Sequence, residues 1–389
     1  MKTENITIDA QTQLTAQYNS SLVFMYSRTP LIFRCASLKI GSIGLLVTNR
    51  RTGAMFEETR QFYNGEATFD LGALMRYIAP DVTTVLSAVR KFSGASEDYT
   101  VQLLYQEDIY WTGYFVGIFG ALNANESYRL RGLDQANPEP RRLWVNYPQT
   151  FALTRDYDDN HPFELPNGEK LYAIEADPDY YSLELSLIDI LSESGGSAAR
   201  EYLSNLRAGR PQLIGLSTCT YISAQAEEGD YRGSYWLSLQ PDLTPVDAPG
   251  RTYLRWLQRD GSVGYWLFHT GELQVAAAQG STFQRFFNNP NAPSSSAPEF
   301  ANNSRQADFT ESRTLNLGTT VNNLDEFEYL AGLMTSPVVD RYIKVGDSYG
   351  WQRVNVTPST QTYNRKRNTP YVRQIELTIQ LPDRDTIKL

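Results

Sequence analysis

Apolar positions in this chain alternate more often than they recur at helical spacing. The fullest case is Gly250 to His269, GRTYLRWLQRDGSVGYWLFH. Tyr253, Arg255 and Leu257 alternate with Leu254 and Trp256; Tyr265, Leu267 and His269 alternate with Trp266 and Phe268. A period of two marks a strand, and the intervening Asp260-Gly261 is a turn pair. The stretch predicts a β-hairpin with large side chains on both faces, covered on both sides, with Trp256 and Trp266 sharing one face.

The rest of the chain repeats this pattern in shorter runs. Leu22–Tyr26, Leu31–Cys35, Gly44–Thr48, Ala54–Phe62 and Ala67–Leu71 follow one another at about ten-residue spacing, as in an antiparallel sandwich. Asn64-Gly65 marks a turn. Ile109–Phe119 is a long aromatic strand whose Gly113, Gly117 and Gly120 point to bulges or close backbone approach. Trp144–Leu153, Leu213–Ser223, Tyr231–Leu239, Val338–Val345, Gln352–Val356 and Tyr371–Gln380 also read as strands. Three segments read as helices. Leu71–Ile78 closes before Pro80. Ser197–Leu206 has Ser197 as a cap and Gly209 as a stop. Asn323–Thr335 carries Asp325 and Glu326 in its first turn and an apolar stripe of Leu324, Phe327, Leu330 and Met334. Glu272–Phe287 fits neither period.

Proline-bearing stretches at Asp134–Arg142 and Gln240–Gly250 divide these runs. The expected architecture is mainly β, with antiparallel β-sandwich-like domains and a few short helices. Residues 1–135 form an N-terminal β-sandwich and residues 143–245 a β-rich middle domain with one helix. Residues 250–389 form a C-terminal β domain with helix 323–335. Within it Asn288–Ser304, NNPNAPSSSAPEFANNS, buries little and is expected to be a mobile loop that orders only against a neighbour.

Composition narrows the function. The chain has 389 residues, enough for about two or three domains. Its net charge of −9 argues against nucleic-acid binding, which needs a basic surface. Two cysteines, Cys35 and Cys219, are too few for a disulfide scaffold or a zinc site, and read as buried thiols. Two histidines, His161 and His269, cannot build a metal cage without carboxylates. The opening MKTENITIDAQTQL has no apolar signal core, and no window nears the ~18 apolar residues of a membrane helix. The protein is therefore expected to be made in a cytoplasm, with no membrane partner.

Several residue groups resemble sites without completing one. Asp156, Asp158 and Asn160 have the opening spacing of a calcium loop, but His161 stands where glycine is needed and Asn167 where glutamate is needed. Glu175, Asp177 and Asp179 flank Pro178; as acid–base carboxylates they would make a glycosidase, and as an acidic turn they would do nothing chemical. His269 has no nucleophile motif to serve. Nucleotide-binding glycine loops and the serine-hydrolase elbow are missing from the sequence. No catalytic, cofactor-binding or metal residue is assigned, no cofactor is expected, and the protein reads as a non-enzyme. Trp111, Trp144, Trp236, Trp256, Trp266 and Trp351 could stack on sugars but read first as core and contact residues. Arg365, Lys366 and Arg367 form a basic cluster, either a solvated tip or a rim facing an acidic neighbour.

The order Tyr253-Leu254-Arg255-Trp256-Leu257, Gly261, Tyr265-Trp266-Leu267-Phe268, then Asn323 to Pro337, then Trp351-Gln352-Arg353-Val354, resembles virion structural proteins of phages that infect Bacteroidetes hosts. Arg28-Thr29-Pro30-Leu31-Ile32-Phe33 and Gly65 to Leu71 resemble the opening β-domain of those proteins. The likeness covers about the first 80 and last 140 residues and leaves the middle unmatched. It implies a tail, baseplate or neck component that multimerises in the virion, with copies of itself and other virion proteins as partners. A carbohydrate-binding or receptor-binding protein, using exposed aromatics on a host glycan, is the alternative.

Overall fold

The computed structural model describes residues 2–9, 12–19, 21–36, 41–81, 96–121, 138–149, 163–164, 170–171, 197–219, 232–246, 248–259, 261, 263–279, 282–284, 304–306, 309–322, 324–357, 359 and 373–382. The protein is mainly β. The N-terminal elements are β1 (Lys2–Asp9), β2 (Thr12–Tyr18), β3 (Leu22–Phe24), β4 (Pro30–Cys35), β5 (Ser42–Asn49), β6 (Met55–Gln61), β7 (Glu66–Asp70), α1 (Leu71–Ile78), β8 (Ser96–Tyr105) and β9 (Asp108–Ile118). They form a four-stranded sheet, β1-β2-β4-β7, and a five-stranded sheet, β3-β9-β8-β5-β6. Alternation decides which residues meet: Leu31 and Phe33 of one sheet join Leu45, Val47, Tyr99 and Trp111 of the other in a single buried cluster. Phe33 meets Trp111 edge-on, with ring centroids 5.9 Å apart.

The glycines of the aromatic strand sit where rings cross the backbone. A Cβ on Gly113 would lie 2.5 Å from the Trp111 ring, and one on Gly117 2.7 Å from the Tyr99 ring. The Asn64-Gly65 turn has both residues at positive φ, 49° and 77°, and Tyr63 and Glu66 exchange both backbone bonds across it. This is the left-handed pair that a two-residue hairpin turn requires. Gly65→Ala should cost about 1–2 kcal/mol of stability in a denaturant melt; an unchanged midpoint would mean that the turn is not held in this form. Glu97, buried, accepts from Arg51 Nε at 2.9 Å and Nη2 at 2.8 Å. Asn49 supports that corner by accepting the N–H groups of Arg51 and Thr52 at 3.0 Å each.

The middle elements are β10 (Glu139–Trp144), β11 (Phe163–Glu164), β12 (Lys170–Leu171), α2 (Ser197–Arg207), β13 (Gln212–Cys219) and β14 (Arg232–Asp242), in the sheet order β10-β14-β13-β11-β12. The proline-bearing 134–142 stretch, expected to be a linker, is strand from Glu139 onward. As an edge strand parallel to β14, β10 tolerates Pro140, which has no N–H to give. The β-run expected from Trp144 onward instead turns at Val145–Asn146. Helix α2 ends as its sequence implies: Gly209 has φ +74°, its N–H reaches Leu206, and the Arg210 N–H reaches Asn205. Its Tyr202, Leu203 and Leu206 are buried.

The C-terminal elements are β15 (Arg251–Leu257), β16 (Val263–Gln279), β17 (Thr282–Gln284), β18 (Ser304–Gln306), β19 (Phe309–Val321), α3 (Leu324–Thr335), β20 (Val339–Val345), β21 (Ser348–Thr357) and β22 (Arg373–Leu381). Six strands close a barrel in the order β15-β16-β19-β22-β21-β20. This barrel is the form that the expected C-terminal β domain takes, and it leaves no open sheet edge along its closed part. Leu315, Leu317, Ile375, Leu377, Ile379 and Val354 are among its buried residues, and Trp266 donates Nε1–H to Thr319 Oγ1 at 2.7 Å. Helix α3 joins β19 to β20. Its Leu330 and Leu333 are buried and Tyr329 lies 6.3 Å from Trp266, whereas Met334, expected in the stripe, is half-buried.

The chain divides into two compact units. One comprises Met1–Ala248, Trp256–Tyr265 and Thr335–Val338; the other comprises Pro249–Arg255, Trp266–Met334 and Val339–Leu389. Within the first, the tip of the β15–β16 hairpin is bonded to the end of β9: Ala121 N–H donates to the Arg259 carbonyl at 2.7 Å. A Cβ on Gly120 would lie 2.6 Å from that same carbonyl oxygen.

Candidate functional site

One outer face of the barrel concentrates aromatic and charged side chains. In the β20–β21 pair Asp340 faces Arg353, Tyr342 faces Trp351 and Lys344 faces Tyr349, so alternation sets all six on one side. Tyr342 stacks on Tyr349 with centroids 5.3 Å apart and planes at 16°, and lies 4.9 Å from Trp351. Tyr253 of β15 meets Trp351 at 5.9 Å. The Arg255 guanidinium carbon lies 4.2 Å from the centroid of the Trp351 ring, a cation–π contact. Arg255 Nε donates to Asp340 Oδ2 at 3.0 Å, and Arg353 Nε donates to Asp340 Oδ1 at 2.6 Å. Arg255 and Asp340 are 4% and 5% exposed, whereas Arg353 is 36% exposed. A buried ion pair therefore sits beneath three half-buried rings, Tyr342, Tyr349 and Trp351, with Lys344 exposed at the rim. This surface can stack against a flat ligand or seat a partner's side chains.

A second feature leaves the barrel at the end away from α3. β15 begins at Arg251, and the preceding Gly250 carbonyl accepts from Thr270 N–H at 2.9 Å. β16 continues past Thr270 to Gln279, paired with β19 as far as Phe309. Every residue from Gly271 to Ala278 is exposed, Leu273 at 49% and Val275 at 57%. β17 and β18 then pair Thr282–Gln284 with Ser304–Gln306. Together they form a two-stranded arm. Among the described residues, nothing pairs with the outer edge of β16 beyond Thr270. The β6 edge of the N-terminal sheet is guarded by Glu57, Glu58 and Arg60, but Glu272 is the one charge in GELQVAAAQ. Edge strands without charge or proline are templates for another strand.

The residues singled out in the sequence scatter. Trp111, Trp144, Trp236, Trp256 and Trp266 are buried, so five of the six tryptophans cannot form a common platform; Trp351 is the half-exposed one. A Cβ on Gly264 would lie 2.4 Å from the Trp256 ring, so Trp256 covers the hairpin face that strand alternation also gives to Trp266. His269 is exposed beside Arg251. Cys35, expected to be buried, is half-buried at the end of β4. Asp156, Asp158, Asn160, His161, Glu175, Asp177, Asp179 and the Arg365–Arg367 cluster lie outside the described residues, as do the side chain of Cys219 and residues 288–303. Sequence reasoning missed Asp340, Tyr342, Tyr349 and Arg353. Their signal was the alternation of Asp340, Tyr342 and Lys344, then Tyr349, Trp351 and Arg353, on either side of Gly346.

Among the described residues, no group of three or more His, Cys, Asp or Glu side chains could hold a metal ion, and no helix is long and apolar enough to cross a membrane. The fold and its surfaces define a mainly-β protein with a six-stranded barrel that presents an aromatic face and a two-stranded arm. No family model and no curated protein matches the chain. Among solved structures, a chain from work on host cell surface retention of a 1.5-MDa bacterial ice-binding adhesin aligns at 9% identity. That alignment covers 80% of this chain and 93% of the other with a TM-score of 0.16, and nothing is transferred from it.

Proposed function

We propose that this protein is a structural subunit of a phage tail or tail-like particle, docking onto copies of itself and neighbouring virion proteins through the barrel arm. The reading joins the sequence resemblance to one observation, the exposed and unguarded edge of β16 from Gly271 to Ala278. A two-stranded ribbon is marginal in water and gains stability when a third strand pairs with it. The subunit is made in the host cytoplasm and resides in the virion. Sedimentation of the purified protein tests the docking step. The parent should self-associate as concentration rises, and Val275→Lys, a charge on the free edge, should weaken association about tenfold or more while leaving the melting temperature unchanged. A parent that stays monomeric at every soluble concentration, or a variant that associates like the parent, sinks the arm as the docking element. Mass spectrometry of purified particles tests residence in the virion.

The half-exposed Tyr342, Tyr349 and Trp351 favour a second reading, binding of a host glycan or receptor. Stacking on one such ring contributes about 0.5–1.5 kcal/mol. Trp351→Ala should then lower retention on host-cell polysaccharide by a few-fold without unfolding the chain, and equal retention of variant and parent would remove the glycan reading.

A further inference from the structure

The free edge of β16 is long and unguarded, whereas the strands that end the other sheets are each guarded or short. β6 carries Glu57, Glu58 and Arg60, β7 carries Glu66 and Asp70, and β10 has Pro140 between Glu139 and Arg141. β1 turns Lys2 and Glu4 to the side of buried Ile6, and inward charges also deter a foreign strand. β3, β12, β17 and β18 have only two or three residues each. The second edge of the arm is β19 ahead of Arg313. There β22 stops pairing at Leu381, Pro382 follows with no N–H to give, and β19 itself carries Glu311. Among the strands that end its sheets, a second copy of this chain therefore offers β16 one unguarded match, β16 itself.

The sequence of the edge suits pairing with itself. Identical strands in one hydrogen-bonded ladder obey a two-fold axis when they run antiparallel. The regular part of the edge is Leu273–Gln279, beyond the bulge that follows Thr270. An axis at its midpoint, Ala276, uses every residue of it. Val275 then faces Ala277 of the second copy and Gln274 faces Ala278, so each larger side chain meets a small one. Charge selects the same direction. Glu272 is the one charge in the stretch. Parallel, in-register strands would hold it about 5 Å from its own copy. Antiparallel strands centred on Ala276 separate the two copies by about eight residues, roughly 27 Å, where salt screens the repulsion.

We propose that the partner of the arm is the arm of a second copy, the two β16 edges pairing antiparallel about a two-fold axis at Ala276. The inference rests on the arm being the docking element of the tail subunit. It adds the identity of the partner strand, its direction and its register.

Cysteine variants of the full chain read that register. Opposed Cα atoms in an antiparallel pair lie about 4.5–5.5 Å apart, within the span of a disulfide. Under mild oxidation at micromolar protein, Ala276→Cys should link to its own copy. Gln274→Cys and Ala278→Cys should each link to themselves at least about tenfold more slowly, because their copies stand about four residues, roughly 13 Å, apart. An equimolar mixture of those two variants should link as fast as Ala276→Cys, since paired strands hold the thiols at an effective concentration on the order of millimolar. Mass spectrometry of the linked peptides separates these bridges from any through Cys35 or Cys219. All three substituted positions are exposed; if Ala276→Cys still fails to fold, the mixture carries the test. Fast self-linking of Gln274→Cys would mean parallel strands and overturns the proposal, as does a mixture that links no faster than its components. If the parent self-associates and Val275→Lys weakens it while none of these bridges forms, the arm docks on a different surface: the inference falls and the docking role stands. A parent that stays monomeric removes both.

Discussion

Asp340→Ala should destabilise the barrel by about 3–5 kcal/mol, the range for removing one partner of a buried ion pair. Both Asp340 oxygens are engaged by guanidinium groups, and Arg255 is 4% exposed. Without the carboxylate, the Arg255 Nε loses its acceptor at a buried position, while the contact with the Trp351 face remains. Arg353, at 36% exposure, can turn to solvent and contributes little to the loss. The informative companion is the double variant Arg255→Met with Asp340→Leu. It removes both charges and should recover most of the stability, because a buried pair is held in place more by the cost of breaking it than by any net gain over apolar packing. Denaturant melts of the three proteins decide the matter. A loss below about 1 kcal/mol for Asp340→Ala would mean that Arg255 reaches water or is answered by other partners.

Trp256→Ala has a comparable expected effect, about 3–5 kcal/mol, set against a usual total of about 5–15 kcal/mol for a domain. Trp256 is 0% exposed within a single chain, so its ring is core and not a subunit contact. Loss of the ring should therefore lower the melting temperature of the isolated monomer. Gly264→Ala should injure the same spot from the other side, since its Cβ would lie 2.4 Å from the indole. Melting followed together with light scattering separates this outcome from its rival. A Trp256→Ala monomer that melts like the parent while assembly fails would move the ring to an interface.

The features legible in the sequence are those set by local rules. The Asn64-Gly65 turn, the Gly209 stop of α2 and the placement of α1 before Pro80 follow from backbone sterics alone, and all are present. The central hairpin was legible because two long alternating runs flank one turn. Closure of the C-terminal strands into a barrel was not, because alternation reports which face is buried but not whether the first strand meets the last. The arm was missed for a different reason. Ala276, Ala277 and Ala278 favour helix on intrinsic propensity, and only pairing with Ser312, Glu311 and Thr310 holds them extended. The Arg255–Asp340 pair joins residues 85 positions apart, and no local pattern in either strand names the other. Cys35 is half-buried because β4 ends there, which apolar neighbours in sequence could not indicate.

The discontinuous make-up of the first unit bears on the order of events during synthesis. Its core cluster, centred on the two N-terminal sheets, also takes in Leu257 and Val338, and the Leu257 N–H donates to the Val338 carbonyl at 3.2 Å. Leu257 leaves the ribosome early, but Val338 follows only after β16, β19 and α3 have been made between them, at about 5–20 residues per second. A nascent chain halted near Ala248 would hold both N-terminal sheets but lack the strand tip bonded to Ala121 and the backbone that Leu257 binds. Chains cut short there should be poorly protected against proteases, and full protection should appear only once residue 338 has been released. Translation itself thus delays the last seal of the N-terminal core until the barrel strands are within reach.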